Sequence, residues 1–457
     1  MLGAKIVAAR AVGALARRAG RGGGTSLPGK VLMRLDPRAL GELTGRLPNG
    51  SAVISATNGK TTTAALAASI LETAGHRLVH NRAGANMAGG VASSLLGAAR
   101  VGGGIDGDLG LFEVDEFWLA RVTEAVGPRA MLLANLFRDQ LDRYGELETI
   151  GEKWAAVVAS LPPATRLVLN ADDPLVADLG RERDGVLYFG VEDDAMALPG
   201  LQHASDSTHC RRCGHPYVYD AVYLGHLGRY HCPNCGQRRP EPAVAAEHVV
   251  LHGIRGATFS LRTPAGSATV ELPLPGLYNV YNALAATSLT LALGVELPTV
   301  VAGLERASAA FGRAQTIEVE GRPVSILLVK NPAGANEVLR TLVLEEGELD
   351  VFGVLNDRIA DGRDVSWIWD ADFEVLAGRV RRFTCSGTRA AELALRMKYA
   401  GVPRERIAVV DDVAAGLDAA RAGGAGPLYA LPTYTALLEL QDLLAERGHS
   451  RPYWEAA

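Results

Sequence analysis

The sequence predicts an α/β protein with two regions built on parallel sheets. From Ser51 onward, short apolar runs alternate with amphipathic segments of helix length, which is typical of parallel β-α units. At about residue 203 a polar stretch rich in Cys, His, Tyr and Arg interrupts this alternation and runs to about residue 240. The alternation begins again near Ile317. We therefore expect two α/β domains, with an insertion in the first.

The size and charge of the chain limit its class. A chain of 457 residues is long enough for two or three domains, each with its own core. Lys and Arg together number 46, against 51 Asp and Glu, so the formal net charge is −5 and we expect no nucleic-acid partner. No apolar run approaches the roughly 20 residues that span a bilayer, and the N-terminus lacks the apolar core and cleavage site of a signal peptide. These features predict a cytoplasmic protein.

Residues 1–48 are predicted to form an N-terminal helical segment and a linker. The first part has the pattern of a basic amphipathic helix, with cationic residues among apolar ones: Lys5, Ile6, Val7, Arg10, Val12, Leu15, Arg17, Arg18 and Arg21. We expect this helix to dock on its own protein, and the alternative is a role at a membrane surface. The Gly-rich stretch GRGGGTSLPG that follows is typical of a linker.

Residues 49–315 are predicted to form the first α/β domain, with residues 203–240 as its insertion. Buried strands are expected at AVIS from Ala52, LGLFEV from Leu109, AMLLAN from Ala130 and RLVLNADD from Arg166. Helices are expected at residues 61–74, at residues 147–160 and along NVYNALAATSLTLALG from Asn279.

Residues 316–457 are predicted to form a second, doubly wound domain of the Rossmann-like type. Its apolar runs, each followed by a helical stretch, are LDVFGVL, RRFTCSG, ERIAVVDD and GPLYALP.

The stretch ATNGKTTT, from Ala56, predicts a phosphate-binding loop. It lies where a strand ends and a helix begins, so that backbone N–H groups and the helix dipole point at a bound anion. Gly59 allows close approach, Lys60 neutralises phosphate charge and Thr61 offers a hydroxyl to Mg²⁺. Ala56 replaces the usual first glycine, which would be costly at a positive φ. The alternative is a turn with an exposed lysine. The predicted nucleotide ligands here are Thr57, Asn58, Gly59, Lys60, Thr61 and Thr62.

Acidic residues follow two of the predicted strands. Glu113, Asp115 and Glu116 lie at the carboxyl edge of the sheet, where one of them could hold Mg²⁺, or they simply form an acidic helix N-terminus. Asp139 and Asp142 follow the next strand, and their alternative is a solvated face.

The insertion carries a cysteine motif of the form C-x₂-C-x₁₈-C-x₂-C, which is typical of a metal site. Its cysteines are Cys210, Cys213, Cys232 and Cys235. This spacing is that of a zinc ribbon, and four thiolates leave no open position for water, so the zinc is expected to be structural. A disulfide pair is the weaker alternative. His209, His215 and His231 lie near enough to replace a cysteine, whereas Cys385 is expected to be a small buried residue.

The stretch LNDRIADGRDVSWIWDADFE, from Leu355, is a second candidate site. It follows a predicted strand and is dense in acidic residues: Asp357, Asp361, Asp364 and Asp370. The alternative is a solvated acidic turn with Trp367 and Trp369 packed beneath it.

Taken together, these segments resemble the Mur ligase family of ATP-dependent carboxylate-amine ligases. The matching stretches are ATNGKTT, FEVDE, NLFRDQLDRYG, LNADDP, GLYNVYNALAA and FGRAQ. The four-cysteine insertion and DGRDVSWIWDADFE resemble one branch, MurT, the synthetase subunits of lipid II isoglutaminyl synthase, whose partner is a GatD glutaminase. Two stretches depart from the general family pattern: Gln140 replaces a His, and VKNPAG from Val329 replaces AHNP.

The resemblance implies a reaction and a set of roles. ATP would phosphorylate the α-carboxylate of D-glutamate in the lipid II stem peptide, and ammonia from the GatD-like partner would give D-isoglutamine. The lipid-linked substrate would bring the chain to the inner face of the plasma membrane. Lys60 and Glu113 would be catalytic, with Thr61 and Glu113 on Mg²⁺. Asn282 would contact adenine, and Arg313 would contact the nucleotide near the hinge.

The resemblance also implies that an aspartate of DGRD completes the catalytic triad of the glutaminase. That residue is Asp364, and Asp361 is its nearest rival. Two other functions stay open: a stand-alone Mur or folylpolyglutamate-type ligase that adds an amino acid, and a zinc-ribbon binding protein with a regulatory nucleotide domain.

Overall fold

A computed structural model of the protein describes residues 2–18, 26–81, 85–138, 147–202, 205–307, 315–424 and 426–450. Arg21, Asp139, Gln140, Asp142 and Arg313 lie outside the described residues, as do the side chains of Arg17 and Arg18. Within the described residues, two large sheets and one small hairpin organise the chain. None of the helices in these ranges combines the length and the apolar character that crossing a bilayer requires.

The first half of the chain contains eleven strands in its described part. They are β1 Ser51–Ser55, β2 Leu78–His80, β3 Leu109–Glu113, β4 Ala130–Leu133, β5 Arg166–Asn170, β6 Leu187–Val191, β7 Val218–Leu224, β8 Leu227–His231, β9 Val244–Leu251, β10 Ala257–Thr263 and β11 Gly266–Leu272. Nine of them form a sheet in the order β11-β10-β9-β6-β5-β4-β1-β3-β2. The strands from β9 to β2 in that order are parallel, and β10 and β11 add an antiparallel edge. The four strands predicted for this region are confirmed.

Helices cover both faces of this sheet. They are α1 Leu2–Arg18, α2 Leu27–Leu35, α3 Ala39–Thr44, α4 Lys60–Thr73, α5 Ala88–Ala98, α6 Leu119–Val126, α7 Leu147–Ser160, α8 Pro174–Asp178, α9 Leu277–Ala292 and α10 Leu297–Glu305. Successive residues of a strand face opposite sides, so Ala52 and Ile54 enter one core while Val53 enters the other. Burial on both faces explains why β1 is apolar throughout rather than alternating.

The second half forms a six-stranded sheet in the order β12-β13-β17-β14-β15-β16. Its elements are β12 Gln315–Val319, β13 Arg322–Ile326, α11 Pro332–Val343, β14 Leu349–Val354, β15 Val380–Ser386, α12 Ala390–Tyr399, β16 Ile407–Val409, α13 Val413–Arg421, β17 Leu428–Pro432 and α14 Tyr434–Glu446. All neighbours are parallel except β12 and β13. The second α/β region is therefore confirmed, whereas the exact domain limits at residues 48 and 315 stay predictions.

The N-terminal helix α1 docks on its own protein. Ile6 and Ala9 are fully buried in the core beneath the first sheet. The guanidinium of Arg10 donates to the carbonyl oxygens of Leu96 at 2.7 Å and Gly97 at 3.0 Å. These carbonyls lie at the C-terminus of α5, where a cation stabilises the helix dipole. The described side chains of α1 thus support the expectation that this helix docks on its own protein.

Candidate active site

The predicted phosphate loop connects β1 to α4. β1 ends at Ser55 and α4 begins at Lys60, so the first N–H groups of the helix face the carboxyl edge of the sheet. Gly59 has a φ of +80°, and a Cβ at this position would lie 2.1 Å from the Oδ1 atom of Asn282. Any larger residue would therefore collide with α9. Ala56 is not among the residues with positive φ, so its methyl group causes no backbone strain.

Lys60 is buried at the N-terminus of α4, not exposed. Its Nζ atom lies 3.0 Å from a carboxylate oxygen of Glu116 and also donates to the backbone carbonyl of Ala56. Burial alone would lower the pKa of Lys60, but the carboxylates of Glu116, Glu113 and Asp115 outweigh it and raise the pKa. The ammonium is thus held charged beside the loop, which contradicts the alternative of an exposed lysine on a plain turn.

Thr61 and Glu113 form a pair of oxygen donors next to Lys60. The Thr61 hydroxyl donates to the Glu113 carboxylate at 3.1 Å, and Glu113 is only 3% exposed. Asn81 holds the backbone of Glu113 from both sides, since it accepts from the Glu113 N–H at 2.9 Å and donates to its carbonyl at 2.7 Å. Adjacent hydroxyl and carboxylate oxygens are the ligands that Mg²⁺ prefers, so these residues fit a magnesium ion. Sequence reasoning missed Asn81.

The other acidic residues after β3 have different partners. Glu116 pairs with Lys60, as described, and Asp115 accepts from the N–H of Phe117 at 3.1 Å. Of the three carboxylates, Glu113 is the one bonded to the Thr61 hydroxyl.

A loop after β4 supports the phosphate loop from behind. The side chain of Asn135 accepts from the N–H of Asn58 at 2.9 Å and donates to its carbonyl at 3.0 Å. The N–H of Phe137 donates to the Thr57 hydroxyl at 3.1 Å. The main chain of the phosphate loop is therefore fixed by groups that the sequence pattern did not single out.

Asn282 lies on α9 directly against the phosphate loop. It accepts from the Thr63 hydroxyl at 3.2 Å and donates to the side chain of Asn279 at 3.0 Å. A cavity opens beside these residues, and its lining includes Asn58, Gly59, Thr62 and Asn282. The predicted contact of Asn282 with adenine stays a prediction, with the residue now placed at a cavity that adjoins the phosphate loop.

Two residues of the second half reach the same loop. Lys330 donates to the carbonyl of Thr57 at 3.3 Å, and Asn331 donates to the side chain of Asn58 at 2.9 Å. They belong to the stretch VKNPAG, which precedes α11. Sequence reasoning noticed this stretch only as a departure from the family pattern. Its position between a strand and a helix was the signal that could have assigned it to the site.

The four cysteines of the insertion converge at the base of the β7–β8 hairpin. Their Sγ atoms all lie within 4.8 Å of one another, and Cys210–Cys235 and Cys213–Cys232 are each separated by 3.5 Å. Four Zn–S bonds in a tetrahedron place sulfur atoms about 3.8 Å apart, so the arrangement fits zinc. All four thiols are free in the structure, which does not support the alternative of a disulfide pair.

The histidines of the insertion have other partners. His209 contacts the Thr208 hydroxyl at 2.9 Å, and His231 contacts the carboxylate of Asp220 at 3.2 Å. The cluster is thus formed by the cysteines, while Cys385 is buried in the second half of the chain, as expected.

The acidic stretch after β14 separates its two candidate aspartates. Asp361 is 7% exposed, and it accepts from the N–H of Thr435 at 2.7 Å and from that of Arg358 at 3.2 Å. Burial raises the pKa of Asp361, against the effect of these hydrogen bonds. Asp364 is exposed, and hydrogen bonds from Ser366 lower its pKa. Asp361 fixes the loop, whereas Asp364 is presented to solvent as a carboxylate.

The two tryptophans of this stretch do not both pack as the alternative of a solvated acidic turn requires. Trp367 packs against the core of the second half, but Trp369 is 47% exposed and Ile359 is 74% exposed. That alternative placed both tryptophans beneath the loop, and it is wrong for Trp369. The stretch that contains Asp364 therefore also exposes apolar side chains.

Comparisons with known proteins agree with these features. The family model of the Mur ligase middle domain matches residues 54–235, and that of the MurT ligase C-terminal region matches residues 328–437. The lipid II isoglutaminyl synthase (glutamine-hydrolyzing) subunit MurT of Staphylococcus aureus strain N315 is 34% identical over 434 residues, covering 94% of this chain and 95% of that protein. Its namesake from Streptococcus pneumoniae is 31% identical over 427 residues, covering 93% of each chain.

Solved structures show the same fold. A pseudomurein peptide ligase type C from Methanothermus fervidus has a TM-score of 0.68 at 21% identity, covering 89% of this chain and 80% of its own. MurF from Acinetobacter baumannii has a TM-score of 0.65 at 20% identity, covering 90% of this chain and 80% of its own. These structures support the fold, and the relatives of higher identity establish the family. The chain therefore belongs to the MurT family and is a ligase of the Mur type.

Proposed function

We propose that this protein is the synthetase subunit of a lipid II isoglutaminyl synthase. It uses ATP to amidate the α-carboxylate of D-glutamate in the lipid II stem peptide, which gives D-isoglutamine. The observation that carries the proposal is the convergence of Lys60, Thr61 and Glu113 at one sheet edge, in a chain that aligns with MurT subunits over almost its whole length.

ATP is needed because a carboxylate resists nucleophiles. One carboxylate oxygen attacks the γ-phosphorus of ATP, ADP leaves, and an acyl phosphate forms. Ammonia then attacks the carbonyl carbon, the C–O bond to phosphate breaks, and the nitrogen loses a proton. Charge develops on the transferred phosphoryl group, where a fixed cation is most effective. Lys60 supplies that cation, and its carboxylate neighbours keep it protonated.

Mg²⁺ would be held by Thr61 and Glu113, and it neutralises charge on the phosphate oxygens when bound. Asn81 keeps Glu113 in place. The nucleotide ligands proposed are Thr57, Asn58, Gly59, Lys60, Thr61 and Thr62, with Asn282 at adenine and Arg313 near the hinge. The four cysteines would hold a structural zinc ion, because all four ligand positions are thiolates.

The ammonia would come from a GatD-like glutaminase. Asp364 is the residue proposed to complete its triad, since a carboxylate that orients a partner's histidine must be exposed and ionised. Asp361 is unsuited to this role because its oxygens are bonded to Thr435 and Arg358 within its own chain. The same stretch also exposes Ile359 and Trp369, which are apolar side chains of the kind that protein partners bury. The lipid-linked substrate would bring the pair to the inner face of the plasma membrane.

The proposal is tested by reconstitution. The chain and a GatD-like glutaminase are purified together and supplied with lipid II, ATP, Mg²⁺ and glutamine labelled at its amide nitrogen. Mass spectrometry of the stem peptide should show replacement of a hydroxyl by a labelled amino group at D-glutamate. An unchanged stem peptide would count against the proposal. ATP turnover with a free amino acid, but not with ammonium, would favour a stand-alone ligase.

A further inference from the structure

We propose that the tip of the four-cysteine hairpin positions the nucleotide site, so that the metal cluster supports nucleotide binding from a distance. The tip comprises residues 224–227, of which Leu224 ends β7 and Leu227 begins β8. This inference rests on the proposed function in one respect: it assumes that a nucleotide occupies the cavity beside the phosphate loop.

The tip forms part of the cavity wall. Leu224 and Leu227 are 5% and 2% exposed, and both line the cavity that also includes Asn58, Gly59 and Asn282. Apolar walls of this kind hold the flat face of a base, while polar groups fix its orientation. The insertion therefore contributes directly to the cavity and is more than a surface module.

His226 connects the tip to the phosphate loop. Its ring is fully buried, and its centroid lies 4.6 Å from that of Phe137. The N–H of Phe137 in turn donates to Thr57 in the phosphate loop at 3.1 Å. Gly225 lies so close to Phe137 that an added Cβ would approach the ring to 2.8 Å. Any shift of the tip must therefore move Phe137, and with it the support of Thr57.

The other side of the His226 ring faces an acidic residue. Its Nδ1 atom accepts from the N–H of Asp206 at 3.4 Å, and its Nε2 atom lies 3.4 Å from the Asp173 carboxylate. Asp173 also accepts from the N–H of Leu136 at 2.9 Å. Leu136 is thus bonded to a carboxylate that faces the hairpin, and Phe137 contacts the His226 ring directly.

A second route leaves the hairpin beyond its last cysteine. The guanidinium of Arg239 lies 2.5 Å from the carboxylate of Asp172, which is fully buried. The other oxygen of Asp172 accepts from the Tyr281 hydroxyl at 2.6 Å. Tyr281 precedes Asn282 on α9 and lines the cavity. The tip of the hairpin and the C-terminal end of the insertion therefore both lead to residues that line the cavity.

A metal ion bound by the cysteines would fix the base of the hairpin, whereas Tyr223, Leu224 and Leu227 near its tip are buried in the core of the first half. Two paired strands are marginally stable by themselves. At the base of the hairpin, Cys210 and Cys232 are buried with Tyr217 and Tyr230, and this cluster is small. The 7 residues of β7 span about 23 Å. A metal ion at the cysteines is thus too far away to touch a nucleotide, and its effect must pass through the strands.

The test compares two truncations on the same hairpin. Leu227→Ala removes part of the cavity wall, whereas Val218→Ala changes a side chain that is 45% exposed near the cysteines. The affinity of the full-length, zinc-loaded chain for ADP and Mg²⁺ is measured by calorimetry, with zinc content determined on the same samples. We expect Leu227→Ala to weaken ADP binding roughly tenfold, with full zinc content. Val218→Ala should bind as the unmodified chain does.

Removal of the metal tests the second part of the proposal. Cys213→Ser changes an exposed ligand, so it should lower zinc content and weaken ADP binding in the same direction as Leu227→Ala. If Leu227→Ala does not fold, Leu227→Val retains most of the side chain and should give a smaller loss. Equal ADP affinity in the Leu227 and Val218 variants would overturn the proposal. If the unmodified chain binds no ADP, the proposed function itself fails. If the unmodified chain binds ADP but the two variants do not differ, only the role of the hairpin tip fails, so the two failures are distinguishable.

Discussion

The carboxyl edges of the two parallel sheets both carry acidic residues, but the residues differ in exposure. At the first edge, Lys60 and Glu113 are both buried. Lys60 pairs with Glu116, and Glu113 accepts a hydrogen bond from Thr61. At the second edge, Asp364 and Ile359 are exposed, and the buried Asp361 serves to fix the loop. A buried edge whose charged groups are already hydrogen-bonded suits the stabilisation of charge that develops during a reaction, because these groups need no rearrangement. An exposed edge suits contact with another protein. Under the proposed function, the first edge would activate the carboxylate and the second edge would bind the protein that supplies ammonia.

Replacement of Lys60 tests the buried edge and should have the broadest effect, because it lowers activity with both nitrogen sources. Lys60→Ala removes the cation at the phosphate loop, so we expect the rate of ATP-dependent amidation to fall by about a hundred- to a thousandfold. The loss should be the same with glutamine and with ammonium salts, because phosphorylation precedes both. Lys398→Ala, at an exposed lysine, is the matched control. Normal amidation by Lys60→Ala would favour a regulatory nucleotide domain instead.

Replacement of Asp364 tests the exposed edge. Asp364→Asn should lower glutamine-dependent amidation by roughly a thousandfold, because a carboxamide no longer stabilises the imidazolium of the partner's triad. Activity with ammonium salts should be largely kept, since the first edge is untouched. The comparison variant is Asp361→Asn, which should lower the melting temperature of the second half. Equal loss with both nitrogen sources in Asp364→Asn would remove the triad role.

The sequence predicted those parts of the site that depend on local pattern. These parts are the strand before the phosphate loop, the loop itself and the four cysteines, each of which is marked by residues close together in the sequence. The structure confirms the strand and brings the four thiols together. The conformation of Ala56 could not be predicted, because φ depends on how the loop packs. Its negative φ removes the objection raised by the missing glycine.

The residues that sequence reasoning missed come from distant parts of the chain. Asn331 is separated from Asn58 by 273 positions, and His226 reaches Phe137 only because the hairpin folds back onto the first sheet. A single histidine or asparagine carries no periodic signal, so such contacts require the tertiary structure. The same holds for the burial of Lys60, which a pattern alone leaves open.

Asn81 offers a more moderate test of the first edge. Asn81→Ala should raise the Mg²⁺ concentration needed for half-maximal activity roughly tenfold, as is usual when a residue that orients a metal ligand is lost. The reason is that Asn81 holds the backbone of Glu113 on both sides. Titration of activity with Mg²⁺ at saturating ATP measures the effect. A lower maximal rate with an unchanged Mg²⁺ requirement would contradict the assignment of Glu113 to magnesium.

Asn331 connects the two edges, and its replacement should have the smallest effect. It donates to Asn58 at 2.9 Å, and its oxygen caps α11 by accepting from the N–H of Gly334 at 2.9 Å. Asn331→Ala loses both bonds, whereas Asn331→Ser keeps a capping oxygen but is too short to reach Asn58. One neutral hydrogen bond is worth about 1 kcal/mol. Both variants should therefore weaken ADP binding severalfold, but only Asn331→Ala should also lower the melting temperature. If Asn331→Ser binds ADP normally, the contact with Asn58 does not couple the second half to the nucleotide, and the two edges act independently.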